Sequence, residues 1–175
     1  MNTSTEVQTL VADRIWIATA LLHQRHPERE SFTKTEIREA IEREGLAEGV
    51  ERGTISAHID QHCVANVAPS SGKYRMLFET SPGNLRLFCP GDFTHPERVQ
   101  KRKASKSVPQ REAIPSRYWQ LLDWYEMWSG IRAATNAARS WEDDPLIRLI
   151  GSGRHIWADE HADEYVNRLR EEDPQ

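Results

Sequence analysis

With 175 residues, 38% hydrophobic and 29% charged, the chain has room for one ordinary domain plus an appendage, or for two small domains. No apolar run approaches the roughly 18 residues that span a bilayer, the N-terminal Met1-Asn2-Thr3-Ser4-Thr5-Glu6 lacks a signal-peptide pattern, and two cysteines in an unexported chain imply thiols rather than a disulfide framework. Membrane-spanning and disulfide-scaffold classes are thereby excluded, and a cytoplasmic location is expected. The net charge of −4 is uneven: residues 1–60 carry −4, 61–118 carry +6 and 119–175 carry −6. A basic middle between acidic flanks can attract a polyanion, because a field acts within a Debye length, or can simply solvate loops.

The first expected element is a helix from Thr3 to about Gln24. Thr3 and Glu6 fit a capping box, Val7, Val11, Ile15, Ala18 and Leu22 form its stripe, Leu10, Ile17 and Leu21 widen it, and His26-Pro27 stops it. A second helix is expected over 34–44: Phe32, Thr33, Glu36 and Ile37 occupy N′, N-cap, N3 and N4, giving a capping box and a hydrophobic staple together. Ile37, Ala40 and Ile41 are its buried stripe, Gly45 its left-handed stop, and Leu46 packs back.

After a polar connection, Thr54 is the expected N-cap of a third helix ended by Asn66 and Pro69. Ile55, Ile59, His62 and Cys63 face inward; Ala57, Asp60, Gln61 and Val64 face outward, with Arg52 and Thr54 at the leading end. Two strands follow, 73–79 and 85–89, joined by a turn at Pro82-Gly83 of type II character. Residues 93–113, containing Lys101, Arg102 and Lys103, read as an extended basic linker. Pro115 and Ser116 then open a helix whose Tyr118, Leu121, Leu122, Tyr125 and Trp128, broadened by Trp119 and Trp124, must bury against the preceding domain or another chain. The tail holds a short helix over 146–150, a Gly151-Ser152-Gly153 break and a last helix capped by Asp159.

The expected fold is therefore mainly α with a small β-hairpin: a winged helix-turn-helix at 1–92, a basic linker at 93–113, an aromatic helix at 114–139 and an acidic helical tail at 140–175. A helix offered outward fits the major groove, where polar side chains read base edges while Lys and Arg hold phosphates. The DNA-contacting candidates are Arg52, Thr54, Ser56, Gln61, Lys73, Arg75, Arg86, Lys101, Arg102 and Lys103. Asp60 is a liability there unless it accepts from a cytosine amino group.

His58, His62, Cys63, Cys89 and His95 raise the question of zinc, yet no CxxC or HExxH spacing occurs, so no metal or other cofactor is expected. There is no GxSxG, P-loop or GxGxxG, and Glu28, Glu30, Glu39 and Glu42 read as solvated helix faces, so a non-enzyme is expected.

Residues from about 10 to 125 resemble an uncharacterised prokaryotic winged-helix-like domain family, through His26-Pro27, Phe32-Thr33, Glu36-Ile37-Arg38, Gly53-Thr54-Ile55, His58-Ile59, His62-Cys63-Val64-Ala65-Asn66, Tyr74-Arg75-Met76-Leu77-Phe78 and Leu122-Asp123-Trp124-Tyr125-Glu126. That family implies no particular activity. Residues 144–170 resemble the tail of small antitoxins that accompany PIN-domain ribonuclease toxins, through Asp144-Pro145-Leu146, Gly151-Ser152-Gly153, Ile156-Trp157, Asp159-Glu160, Asp163-Glu164-Tyr165-Val166 and Arg168-Leu169-Arg170. The resemblance implies a toxin-neutralising peptide on a DNA-binding domain, although such antitoxins usually carry a compact ribbon or swapped-hairpin domain.

The sequence thus leads to a non-enzymatic, antitoxin-type transcriptional regulator. Its expected partners are double-stranded DNA and a small ribonuclease toxin, with self-association an open alternative. Trp141, Leu146, Trp157, Tyr165, Val166 and Leu169 are the expected partner anchors, since aromatics dominate interface hot spots. The alternative is a protein-interaction adaptor whose winged-helix domain binds no DNA, and the tail can equally pack on its own body.

Overall fold

A computed structural model describes residues 9–69, 74–99 and 106–142, with side chains to residue 135. The chain divides into two compact units, Met1–Ala133 and Ala134–Gln175. The first is mainly helical with a three-stranded antiparallel sheet. Its order is α1 (Val11–Arg25), β1 (Phe32–Thr33), α2 (Lys34–Arg43), α3 (Arg52–Ala57) running into a π-helical turn (His58–His62), β2 (Leu77–Ser81), β3 (Asn84–Leu87) and α4 (Pro96–Val99). Two 3-10 turns, Arg111–Ala113 and Ser116–Tyr118, lead into α5 (Gln120–Glu142).

Helix α1 begins at Val11, not further upstream, because Leu10 is extended (φ −62, ψ 149) and its side chain is 49% exposed instead of joining the stripe. Thr3, Glu6 and Val7 lie outside the described residues. From Ile15 to Ala20 every residue of α1 is buried, so α1 is the central strut. It ends before Pro27, as the backbone restriction ahead of proline requires.

Helix α2 forms for local reasons. Thr33 Oγ1 accepts from the Glu36 N–H at 3.2 Å, and the Glu36 carboxylate accepts from the Thr33 N–H at 2.8 Å. Arg29 adds a two-pronged pair at 2.6 and 3.0 Å, and this hydrogen bonding is the first cause holding Glu36 down at about 2. Gly45 takes φ 69, and the Leu46 N–H reaches the Ile41 carbonyl at 2.9 Å.

Phe32 and Thr33 also make an unforeseen third strand, pairing with Leu85 and Asn84, so β3 lies between β1 and β2. The hairpin strands are shifted from the expected registers to 77–81 and 84–87. The alternation fails at their start: Met76 and Leu77 are both fully buried, because both N–H groups go to the Cys63 carbonyl, at 3.0 and 2.9 Å. Pro82 and Gly83 do make the turn, Gly83 at φ 82, which suits a residue without Cβ.

Residues 106–133 belong to the same body as the preceding elements. Ile114, Tyr118, Leu121 and Tyr125 join one core with Trp16, Phe32, Ile59 and Leu87. The Tyr125 and Trp16 rings meet edge-on at 5.5 Å, and Tyr125 donates its hydroxyl to the Phe88 carbonyl. Trp119 does not broaden that buried stripe: it is 38% exposed, and its Nε1 donates to the Arg111 carbonyl at 2.7 Å. Within the stretch read as a linker, α4 forms and Arg98 is buried. Among the described residues no helix is long and apolar enough to cross a membrane.

Candidate nucleic-acid interface

The face built by α2 and α3 is positioned from three sides. Arg14 of α1 donates to the carbonyls of Leu46 and Glu48, at 3.0 and 2.5 Å, and so fixes the connection that leads into α3. Ile55 and Ile59 anchor α3 in the core. At its far end Arg98 donates to the carbonyls of Val67 (2.8 Å), Tyr74 (2.9 Å), His62 (3.3 Å) and Gln61 (2.5 Å). A cation there suits the negative end of a helix.

Helix α3 differs from expectation in three ways. It starts at Arg52, because the Glu51 carbonyl takes the N–H groups of Thr54 and Ile55 at 3.0 and 3.2 Å; Thr54 is therefore inside the helix and does not cap it. It ends at His62, and the Asn66 side chain instead holds Glu79 by two 2.9 Å hydrogen bonds. Val64 is not outward but fully buried, bridged in parallel to Leu77.

Arg52 and Thr54 are exposed and Ser56 half-buried, as a presented helix requires. Gln61 is turned to its own loop, donating to the Ala68 carbonyl at 3.1 Å. Two side chains of α2 that the sequence did not single out complete the face. Arg38 donates to Ser56 Oγ at 3.3 Å and to Thr35 Oγ1 at 3.2 Å. Lys34 Nζ lies 3.2 Å from Asp60 Oδ1 and 3.9 Å from Glu79 Oε1. These contacts form two rungs, 34 with 60 and 38 with 56, one turn apart on each helix. An N-cap Thr followed by cationic residues at 34 and 38 on the exposed side was the available signal.

The remaining candidates divide. Arg86 is not a surface cation: it is 5% exposed, its guanidinium grips both Asp92 oxygens at 2.6 and 2.7 Å, and it lies 4.5 Å over the Phe78 ring. Phe78 is its cross-strand neighbour on β2, and the buried guanidinium needs the internal counter-ion that Asp92 supplies. Arg75 is half-buried, with its guanidinium 5.9 Å from the Phe88 ring centre and its backbone N–H donated to the Lys106 carbonyl at 2.9 Å. Lys73, Lys101, Arg102 and Lys103 lie outside the described residues, as do Leu146, Trp157, Tyr165, Val166 and Leu169. Trp141 lies in α5, where its side chain is not described.

The histidines do not converge with the thiols. His58 donates Nδ1–H to the Thr54 carbonyl at 2.9 Å, a proton placement assigned from a carbonyl's being only an acceptor. Its ring meets His62 edge-on at 4.9 Å, while Cys63 is sealed in the core and burial pushes its thiol far up. Among the described residues no three metal-ligating side chains come together.

Chemically the face offers guanidinium forks and hydroxyls, which suit phosphate oxygens and base edges, with Asp60 as the acceptor among them. No protein-family model matches the chain, and neither a curated protein nor a solved structure does.

Proposed function

We propose that the first unit is a winged-helix domain that binds double-stranded DNA with the face of α2 and α3, in a regulator of the antitoxin type. The observation that carries this reading is the order helix–strand–helix–helix–strand–strand, with the first strand paired to the last so that the sheet runs β1-β3-β2. That arrangement leaves α3 on the surface with Arg52 and Ser56 outward and Arg38 of α2 beside them. Arg38 and Arg52 supply the phosphate contacts, and Ser56 and Asp60 meet the bases. The antitoxin element rests on the resemblance of residues 144–170. A mobility-shift titration of duplex from upstream of the reading frame, at low and high salt, tests the reading. Binding that weakens with salt supports it, and no shift at low salt ends it.

One observation favours the protein-interaction reading instead: Lys34 is shared between Asp60 and Glu79, which mutes the positive field of the face. Co-purification separates the two. A stable protein partner lost on deleting residues 141–175, without any nucleic-acid binding, supports the adaptor.

A further inference from the structure

We propose that Asp60 selects cytosine, with Lys34 as the counter-charge that lets a carboxylate stand on this face; the inference rests on the DNA-binding reading above. Asp60 follows Arg52 and Ser56 at intervals of four, and its side chain is 50% exposed. A lone carboxylate entering a groove walled by phosphates is repelled. Here Lys34 Nζ stands 3.2 Å from Oδ1, nearer than the 3.9 Å to Glu79 Oε1, so it offsets part of that charge at the distance of a phosphate. The Lys34 backbone N–H donates to the Gly83 carbonyl at 3.2 Å, which fixes the root of the side chain, and Glu79, itself accepting from the Gly83 N–H at 3.0 Å, flanks the ammonium from β2.

The ion pair lies on Oδ1, which leaves Oδ2 able to accept from a base. In the major groove only cytosine and adenine offer amino donors, and adenine sets its N7 lone pair beside the amino group, where it repels a carboxylate. Cytosine has no such acceptor next to N4. The carboxylate therefore takes cytosine, whereas an amide at the same position donates to N7 and accepts from N6 and so takes adenine.

The test is in vitro selection from a random-core duplex pool with the full chain and with Asp60→Asn, followed by titration of the winning duplex. The expected result is one cytosine in the selected site that Asp60→Asn replaces by adenine, the rest of the site unchanged. Exchanging that cytosine is expected to cost the wild-type protein about tenfold in affinity. If both proteins select the same base at every position, the inference is overturned while the DNA-binding reading stands. If the wild-type chain enriches nothing and binds no duplex at low salt, both fall. Asp60→Ala is the control: it should lose the preference without gaining another, and an unaltered preference also overturns the inference.

Discussion

Arg38 on α2 and Ser56 on α3 are joined side chain to side chain, Nη1 to Oγ at 3.3 Å, so a guanidinium from one helix lies over the exposed face of the next. This contact places a fixed cation where the sequence shows only a polar helix face. Replacing Arg38 by Ala should lower affinity for any duplex and flatten the dependence of log K on log salt by about one unit, with little loss of stability because the residue is only half-buried. Parallel titrations of wild type and variant at several salt concentrations check this.

Arg86 gives the opposite expectation. Arg86→Lys keeps the charge but loses the two-pronged grip on Asp92, so thermal stability should fall while the salt dependence of DNA binding stays as in wild type. Calorimetry and the same titrations decide it. A flatter salt slope would return Arg86 to the interface.

Lys106 and the fully buried Asp13 form a pair at 2.7 Å across ninety-three residues of chain. Burial comes first among the causes and raises the Asp13 carboxyl despite the ammonium beside it. Lys106→Met leaves that carboxylate without its partner and should cost about 3–5 kcal/mol in chemical denaturation. Adding Asp13→Leu should recover much of the loss, since paired buried charges can be replaced by apolar groups more easily than halved.

His23 sits 1% exposed between the Phe32 and Trp128 rings, at 4.9 and 4.7 Å, with Leu87 N–H at 3.4 Å from Nε2. Burial first, then the charges of Arg132 and Arg86, lower it from 6.5 to about 3. The unfolded chain therefore binds the proton more readily, so stability is complete above 6.5 and declines as pH falls toward 3. Glu36, lowered from 4.5 to about 2, adds its own acid loss only below 4.5. Between roughly pH 6.5 and 5 the slope comes mainly from His23, and His62, which burial also lowers from 6.5, adds a part of the same sign. Urea denaturation across that window should show the slope in wild type and lose most of it in His23→Leu, the remainder being that of His62.

What the sequence disclosed was set by how local each cause is. The Thr33–Glu36 box, the Gly45 stop and the Pro82-Gly83 turn are written within a few residues, and all three form. The Phe32–Thr33 strand was hidden because two residues carry no period, and its pairing depends on Leu85 and Asn84 far along the chain. Arg86 was misplaced for a different reason: its strand alternation points it outward, and its burial comes from tertiary contacts, the Phe78 ring across on β2 and the Asp92 carboxylate six residues on. Lys34 and Arg38 show in the sequence only as cations after an N-cap Thr; their contacts with Asp60 and Ser56 arise from the juxtaposition of two helices, which no single-helix pattern contains. The Arg98 staple and the Lys106–Asp13 pair are likewise products of tertiary packing.

The central claim is that the face of α2 and α3 binds duplex DNA. It is tested most directly by the salt dependence of duplex affinity, measured by fluorescence anisotropy for the full chain and for Arg38→Ala/Arg52→Ala. Both residues hold phosphates in this account, so the double variant should retain its fold while its log K against log salt line loses about two units of slope. Duplex binding whose slope is untouched by the double substitution, or no binding by the wild-type chain at low salt, would contradict it.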